Sequence, residues 1–387
     1  MPATNATLDA EWSALLAACS EIPREEKTGR IRHLLSQPLR WRVLLDLASR
    51  HGVEPLLYQV LVDSKSAIPA EQTPRLEQGH QINLHKSLLL SRELIRIVDY
   101  LHELSLEVMP YKGLALAELI YGDIALRQAG DIDLLIRPTD WSRVRDAVSE
   151  LGYTPHLALS EAEERAYLKS GYECAFDSAA GPNLLEVQWA IQPRFYAIDF
   201  EMDGLFQRAA TIKVAGHLMK TPSPEDLLLV LSAHAAKHVW GRLVWLCDLA
   251  RIMSLSTLNW NWIGPQAQAL GIVRILRVTM LLANRLLDAP LPAAAQQFFS
   301  DDPESLSLAN EIQTHIVGEH IFNVESPAYF RLMTRLRERP ADRRRFLQRL
   351  VFTPGPSEWQ VVRLPAPFFP IYRLIRLSRL AARLVRT

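Results

Sequence analysis

Cysteine, net charge and long apolar runs are all scarce in this chain, and each shortage removes a class of protein. Cys19, Cys174 and Cys247 are the only cysteines in 387 residues. They are odd in number and far apart, with no paired spacing, so neither a disulfide framework nor a zinc knuckle is available and three reduced thiols are expected. No stretch approaches the roughly 18 apolar residues of a membrane-crossing helix. The opening MPATNATLDAEWS has neither the basic start nor the apolar core of a signal peptide. A cytoplasmic protein is the expectation. Internal repeats and low-complexity tracts are missing too. Formal net charge is zero, so the molecule as a whole is no electrostatic lure for nucleic acid. Lysine is missing from one region altogether. From position 331 onward fourteen arginines face only Glu338, Asp342 and Glu358, a local charge of +11 that the first 330 residues balance with −11.

What is present is ordinary for a folded protein: 49% hydrophobic and 22% charged residues, in a chain long enough for two or three domains. Apolar residues recur at helical spacing over 8–62, where Gly52 after Arg50 and His51 is a stop signal. A long helix is expected over 81–106. Short apolar runs then predict strands at VMPY (108–111), IDLLI (132–136), GYECAF (171–176) and NLLEVQW (183–189). Helices are expected over 114–121 and 140–151, the latter capped by Thr139. A strand pair around 211–218 precedes Ser223-Pro224, a helix start with Glu225 and Asp226 in its first turn. The pattern predicts an α+β protein with a small mixed sheet of four or five strands, flanked by N-terminal and C-terminal helical regions. The expected divisions are 1–106, 107–222, 223–330 and a basic segment 331–387.

The densest chemical signal is GDIDLLI, residues 130–136. Side chains alternate along a strand, so Asp131 and Asp133 share a face about 7 Å apart. Such a pair is tolerated in water, by sharing a proton, or by sharing a cation. Solvated acidic edges also produce Asp-x-Asp, but Ile132, Leu134, Leu135 and Ile136 indicate a buried strand, which favours a cation, and hard oxygen ligands suit Mg2+ or Mn2+. Gly113 opens a helix whose backbone amides can attract phosphate. Lys112 and Arg127 either hold phosphate or neutralise the aspartates.

The run YKGLALAELIYGDIALRQAGDIDLLIRPTD (111–140) resembles the uncharacterised nucleotidyltransferase family of the polymerase-β-like (minimal nucleotidyltransferase) superfamily. Lys112, Gly113, Tyr121, Leu126, Arg127, Gly130, Asp131, Ile132 and Asp133 match its pattern in order. The resemblance implies a third carboxylate on a later strand, and Glu186 in LLEVQWAI is the match. Asp131, Asp133 and Glu186 would then hold one or two divalent ions that bridge an NTP triphosphate. Glu186 can alternatively act as general base, or simply pair with Arg127 or Lys112. Gln188 stands where the family often has His, so no role is assigned to it.

The segment SAHAAKHVWGRLVWLCDLA (232–250) puts His234, Lys237, His238 and Arg242 at spacings of three and four. With Ala235 after the first His a protease-like zinc site is disfavoured. The alternatives are core packing or a basic face over the cleft. With Lys112, Gly113, Arg127 and Gly130, these four complete the expected nucleotide-binding set. The arginine-rich end can dock on the acidic body, bind RNA or an acidic partner, or lie on an anionic membrane surface; docking is favoured. Taken with the resemblance, the expected reaction moves a nucleoside monophosphate from an NTP to a hydroxyl or phosphate acceptor and releases pyrophosphate. The acceptor classes among relatives are small molecules, peptide natural products, proteins and tRNA. The alternative is a catalytically silent nucleotide-binding or scaffold protein that keeps the fold.

Overall fold

Helical spacing of Leu15, Leu16, Leu44, Leu45 and Leu47 turns these side chains inward on a set of four short helices, Ala10–Cys19, Arg24–Leu35, Trp41–His51 and Glu54–Ser64. Gly52 ends the third with φ +70°, the left-handed cap that glycine adopts without steric cost. These elements come from a computed structural model that describes residues 9–66, 68–157, 159–178, 181–296, 302–318, 323, 326–359, 361–362 and 364–385.

The long helix runs from Thr73 to Glu103, starting earlier than its apolar stripe predicts because Pro74 is accepted in its first turn. Its second half buries Leu90, Leu94, Ile97, Val98 and Leu101 against the sheet. That sheet has five strands in the order β1-β2-β5-β4-β3: β1 Met109–Pro110, β2 Ile132–Leu135, β3 Tyr153–Pro155, β4 Glu173–Ser178 and β5 Gly181–Gln188. Only β2 and β5 run parallel; the other pairs are antiparallel. A separate hairpin, β6 Ala210–Val214 and β7 His217–Thr221, follows.

Sequence periodicity missed β3 and the helix Glu161–Ser170, although the helix begins with a full capping box, Ser160 and Glu163. Thr139 does not cap the following helix. A 3-10 turn, Pro138–Asp140, leads into Trp141–Glu150, and no side chain caps it. Beyond the hairpin, Ser223 caps Pro224–Lys237 by accepting from the Asp226 N–H at 3.1 Å.

The helices before the sheet and those after it share one buried core, from Trp12 through Leu227 and Leu282 to Leu350. Among the described residues no helix is long and apolar enough to cross a membrane. Cys19, Cys174 and Cys247 are all free thiols and buried.

The basic segment packs back on the body through the helix Pro340–Phe352. Arg337 is buried and donates to the Tyr196 carbonyl at 2.7 Å, Arg345 reaches the Ala197 carbonyl at 2.9 Å, and Arg349 grips Asp199 at 2.6 and 2.8 Å. The last helix, Tyr372–Val385, packs mainly on that helix, reaches the body where Arg376 lies over the Phe195 ring at 5.5 Å, and leaves Leu374 65% exposed. Arg363 and Arg386 lie outside the described residues.

Candidate active site

The parallel pairing of β2 with β5 sets Asp133 opposite Glu186 and Leu135 opposite Gln188. Side chains alternate with period two, so Glu186 and Gln188 share one face of β5 and meet Asp133 there. Asp131 lies one residue before β2, in a bend, so the two aspartates are not both within the strand as their spacing suggested. Asp131 is half-buried and, among the described residues, has no hydrogen-bond partner.

Asp133 is almost fully buried, and its Oδ1 accepts from Lys112 Nζ at 2.9 Å and from Gln188 Nε2 at 3.1 Å. The same Gln188 nitrogen donates to Glu186 Oε2 at 3.0 Å, while Gln188 Oε1 accepts from the Tyr111 hydroxyl. The residue left without a role in the sequence thus ties two of the three acids together. Lys112 pairs with an aspartate, the neutralising arrangement, and Glu186 pairs with neither Lys112 nor Arg127. Burial works against the Lys112 charge, but Asp133 and Tyr111 outweigh it and raise the pKa.

The acids remain in excess. Burial, then the charges of Asp133 and Glu173, push Glu186 up to about 8. Burial and Asp133 push Asp131 up to about 6. An unpartnered, half-buried carboxylate beside two others is a donor set that fits a hard cation in kind. Among the described residues no three His, Cys, Asp or Glu side chains already stand close enough to enclose one.

Gly113 has φ +49°, and a Cβ there would stand 3.3 Å from the Asp131 carbonyl oxygen. Glycine is thus needed where the lysine loop passes the acid-bearing backbone. Only one α-turn, Gly113–Leu116, follows before the chain widens into the π-turn Ala117–Tyr121. Gly130 is exposed, with open space around its Cα.

Arg127 departs from both expected roles. It neither overhangs the site nor bonds an aspartate of the pair; it is buried against Asp248, with nitrogen–oxygen distances of 2.9, 3.1 and 2.9 Å. Tyr121 donates to the same carboxylate at 2.9 Å. The physical reason is local: loop 122–129 is anchored by Asp248, in the helix Leu243–Met253, and by Asn83, which donates to the Ala125 carbonyl at 2.7 Å.

His234, Lys237, His238 and Arg242 do not share one helix face. The helix stops at Lys237, Val239 and Trp240 take left-handed φ values of 52° and 48°, and Arg242 is the residue preceding the next helix. His234 and His238 cluster with Trp245, ring centroids 4.8 Å apart and 5.5 and 5.1 Å from the indole, with His234 edge-on to it and His238 tilted. Burial, with help from nearby lysines, holds both imidazoles neutral, His238 at about 3. Lys237 donates to the Tyr172 hydroxyl at 3.0 Å and is lowered to about 8 by burial. Arg242 reaches solvent without a bonded partner among the described residues; burial and Arg127 lower its pKa, while Asp131 acts the other way. Lys86, on the long helix, also stabilises the Asp131 charge. Tyr172, Gln188 and Lys86 are the members of this site that sequence reasoning did not single out; only the first two lie on the strands or strand edges where such residues would be sought.

Residues 37–288 match a family described as uncharacterised nucleotidyltransferase. No protein of curated function matches the chain. Among solved structures it is similar to ANT(2")-Ia in complex with adenylyl-2"-tobramycin, at 16% identity and a TM-score of 0.34, covering 46% of this chain and 95% of that one. It is also similar to an antigenic nucleotidyltransferase-like protein from Paracoccidioides brasiliensis, at 14% identity and a TM-score of 0.32, covering 54% and 94%.

Proposed function

The chain belongs to the uncharacterised nucleotidyltransferase family, and from that premise we propose that it moves a nucleoside monophosphate from an NTP to an acceptor hydroxyl or phosphate, in the cytoplasm, with Mg2+ or Mn2+. The observation that carries this reading is the convergence of Asp133 and Glu186 across β2 and β5 with Asp131 at the strand edge. Asp131, Asp133 and Glu186 would hold the ion. When bound, it supplies charge neutralisation for the triphosphate and acidifies the attacking hydroxyl.

The chain's own residues do the rest. The acceptor oxygen forms a bond to the α-phosphorus, the bond to the β-phosphate bridge breaks, and pyrophosphate leaves with the electron pair. Burial and Asp133 push Glu186 up to about 8 in the ion-free protein, so it keeps its proton there; ionised beside a bound cation, and only then, its carboxylate can take the acceptor proton. Arg242, Lys86 and Lys237 place cations around the acids, where phosphate oxygens can meet them. His234 and His238, neutral and packed edge-on or tilted against Trp245, offer uncharged aromatic surface rather than phosphate contacts. Gln188 holds Asp133 and Glu186 in mutual orientation.

One observation favours the silent alternative: Lys112 already occupies Asp133 Oδ1 at 2.9 Å. Each of the four NTPs, labelled at the γ-phosphate, separates the readings when offered with Mg2+ or Mn2+ and panels of small-molecule, peptide, protein and tRNA acceptors. Labelled pyrophosphate appearing with one acceptor, and only with the metal, supports transfer. Tight nucleotide binding in EDTA with no pyrophosphate from any acceptor supports the silent protein.

A further inference from the structure

An open groove of about 540 Å3 lies where the end of the helix Glu161–Ser170 meets the basic segment. Lys169, Arg194, Arg349 and Arg373 line it, together with Phe352, and no carboxylate does. Asp199 holds Arg349 and also feels the charge of Arg194, whose Nη1 donates to the Lys169 carbonyl at 3.3 Å, but Lys169 and Arg373 are exposed and have no carboxylate partner among the described residues. Phe352 is 54% exposed, a large aromatic beside unpaired cations. Unsatisfied positive charge with an accessible ring is the combination that takes a sugar–phosphate strand, the charges following the backbone and the ring stacking a base. A membrane surface would call for a convex apolar face; this site is concave and cationic.

The groove wall continues along the chain into the acid-bearing sheet. Ser170 is two residues from Tyr172, whose hydroxyl receives Lys237 at 3.0 Å. Trp189, directly after β5, donates its N–H to the Tyr172 carbonyl at 2.9 Å, so the groove wall and the Glu186 strand are joined by backbone.

We propose that this groove seats a single-stranded nucleic acid whose end presents the acceptor hydroxyl to the site, the strand's phosphates on Lys169, Arg194 and Arg373 and a base on Phe352. The acceptor assignment rests on the nucleotidyl-transfer reading above; the binding of the strand does not.

The test is binding of a labelled single-stranded RNA and of the DNA of the same sequence to the full chain, over a series of salt concentrations. Three phosphate contacts predict log K falling with log salt at a slope of about −2, since each contributes roughly −0.7 for single strands. Lys169→Glu with Arg373→Glu should lower affinity at least about tenfold and flatten the slope, and Phe352→Ala should lower it about fivefold or more. All of these positions are exposed, and unchanged melting confirms that the variants fold. RNA bound more tightly than DNA assigns the ligand to RNA, and equal binding assigns it to either strand. No strand binding, or binding that the substitutions leave unchanged, overturns the proposal. Anionic vesicles captured in place of the strand, with the same substitutions abolishing capture, overturn it as well. NTP binding should be unaltered in the groove variants, while Asp131→Asn should lose NTP binding and keep the strand. Failure of the catalytic reading is thereby separated from failure of the groove.

Discussion

Asp133 is confined between Lys112 and Gln188, and that confinement gives it two roles that Asp131 does not share. Removing one partner of a buried ion pair leaves the other charge uncompensated, which costs about 3–5 kcal/mol. Asp133→Ala should therefore lower the melting temperature sharply as well as abolish transfer. Asp131→Asn, half-buried and unbonded, should abolish transfer with melting nearly unchanged. Thermal melts of the two variants decide it, and equal melts would mean that Lys112 is not dependent on Asp133. The same scale gives a pH dependence. In the ion-free protein the Glu186 pKa is raised to about 8, above its unfolded value, so the folded state favours the protonated form. Between about pH 4.5 and pH 8 the unfolded chain has released this proton and the folded chain has kept it, so stability falls as pH rises through that window and levels off above it. Glu186→Gln should flatten the fall in denaturant titrations across pH. A variant that retains the full slope would assign it to other groups. Spacing pointed to Asp131 and Asp133, although only Asp133 lies within the strand, and the resemblance pointed to Glu186, which the register sets opposite Asp133. Gln188 was not, because its role comes from a cross-strand register that one sequence does not display.

Elements carry the next lesson through Arg127. Its position in the family pattern suggested a ligand contact, yet its partner, Asp248, lies 121 residues away on another helix. Spacing along the chain contains no signal for such a contact. Arg127→Ala should destabilise the protein by about 3–5 kcal/mol, the cost of stranding a buried carboxylate. A double-mutant cycle with Asp248→Ala should return a coupling of at least about 1 kcal/mol, and additive effects would contradict the pair. The histidine segment shows a related limit. Helical periodicity put Arg242 on the same face as His234, but the left-handed backbone at Val239 and Trp240 breaks the helix just before Gly241, the stop signal in this segment. Conversely, the Ser160–Glu163 capping box was a readable signal for the missed helix, masked by its polar, weakly periodic sequence.

At the scale of the whole molecule, composition located the basic segment and its charge of +11. Its docking follows from the acidic balance of the rest, and the contacts of Arg337, Arg345 and Arg349 with residues 196–199 realise it. The final helix packs mainly on the segment itself, touches the body through Arg376 over Phe195, and keeps apolar side chains exposed. Deleting residues 331–387 should therefore uncover the buried face around Tyr196 and Tyr329, lower solubility and reduce the melting temperature. Limited trypsin digestion should cut within Tyr372–Val385 before it cuts within Pro340–Phe352; rapid release of the whole segment from a stable core would contradict the docking.

The central claim, that three acids hold an ion for an NTP, is tested most directly by calorimetric titration of a non-hydrolysable NTP into the wild type and Asp131→Asn, each with Mg2+ and with EDTA. The account predicts binding by the wild type in Mg2+, and a loss of roughly tenfold to hundredfold either in EDTA or on substitution. Equal affinity in all four titrations would contradict it.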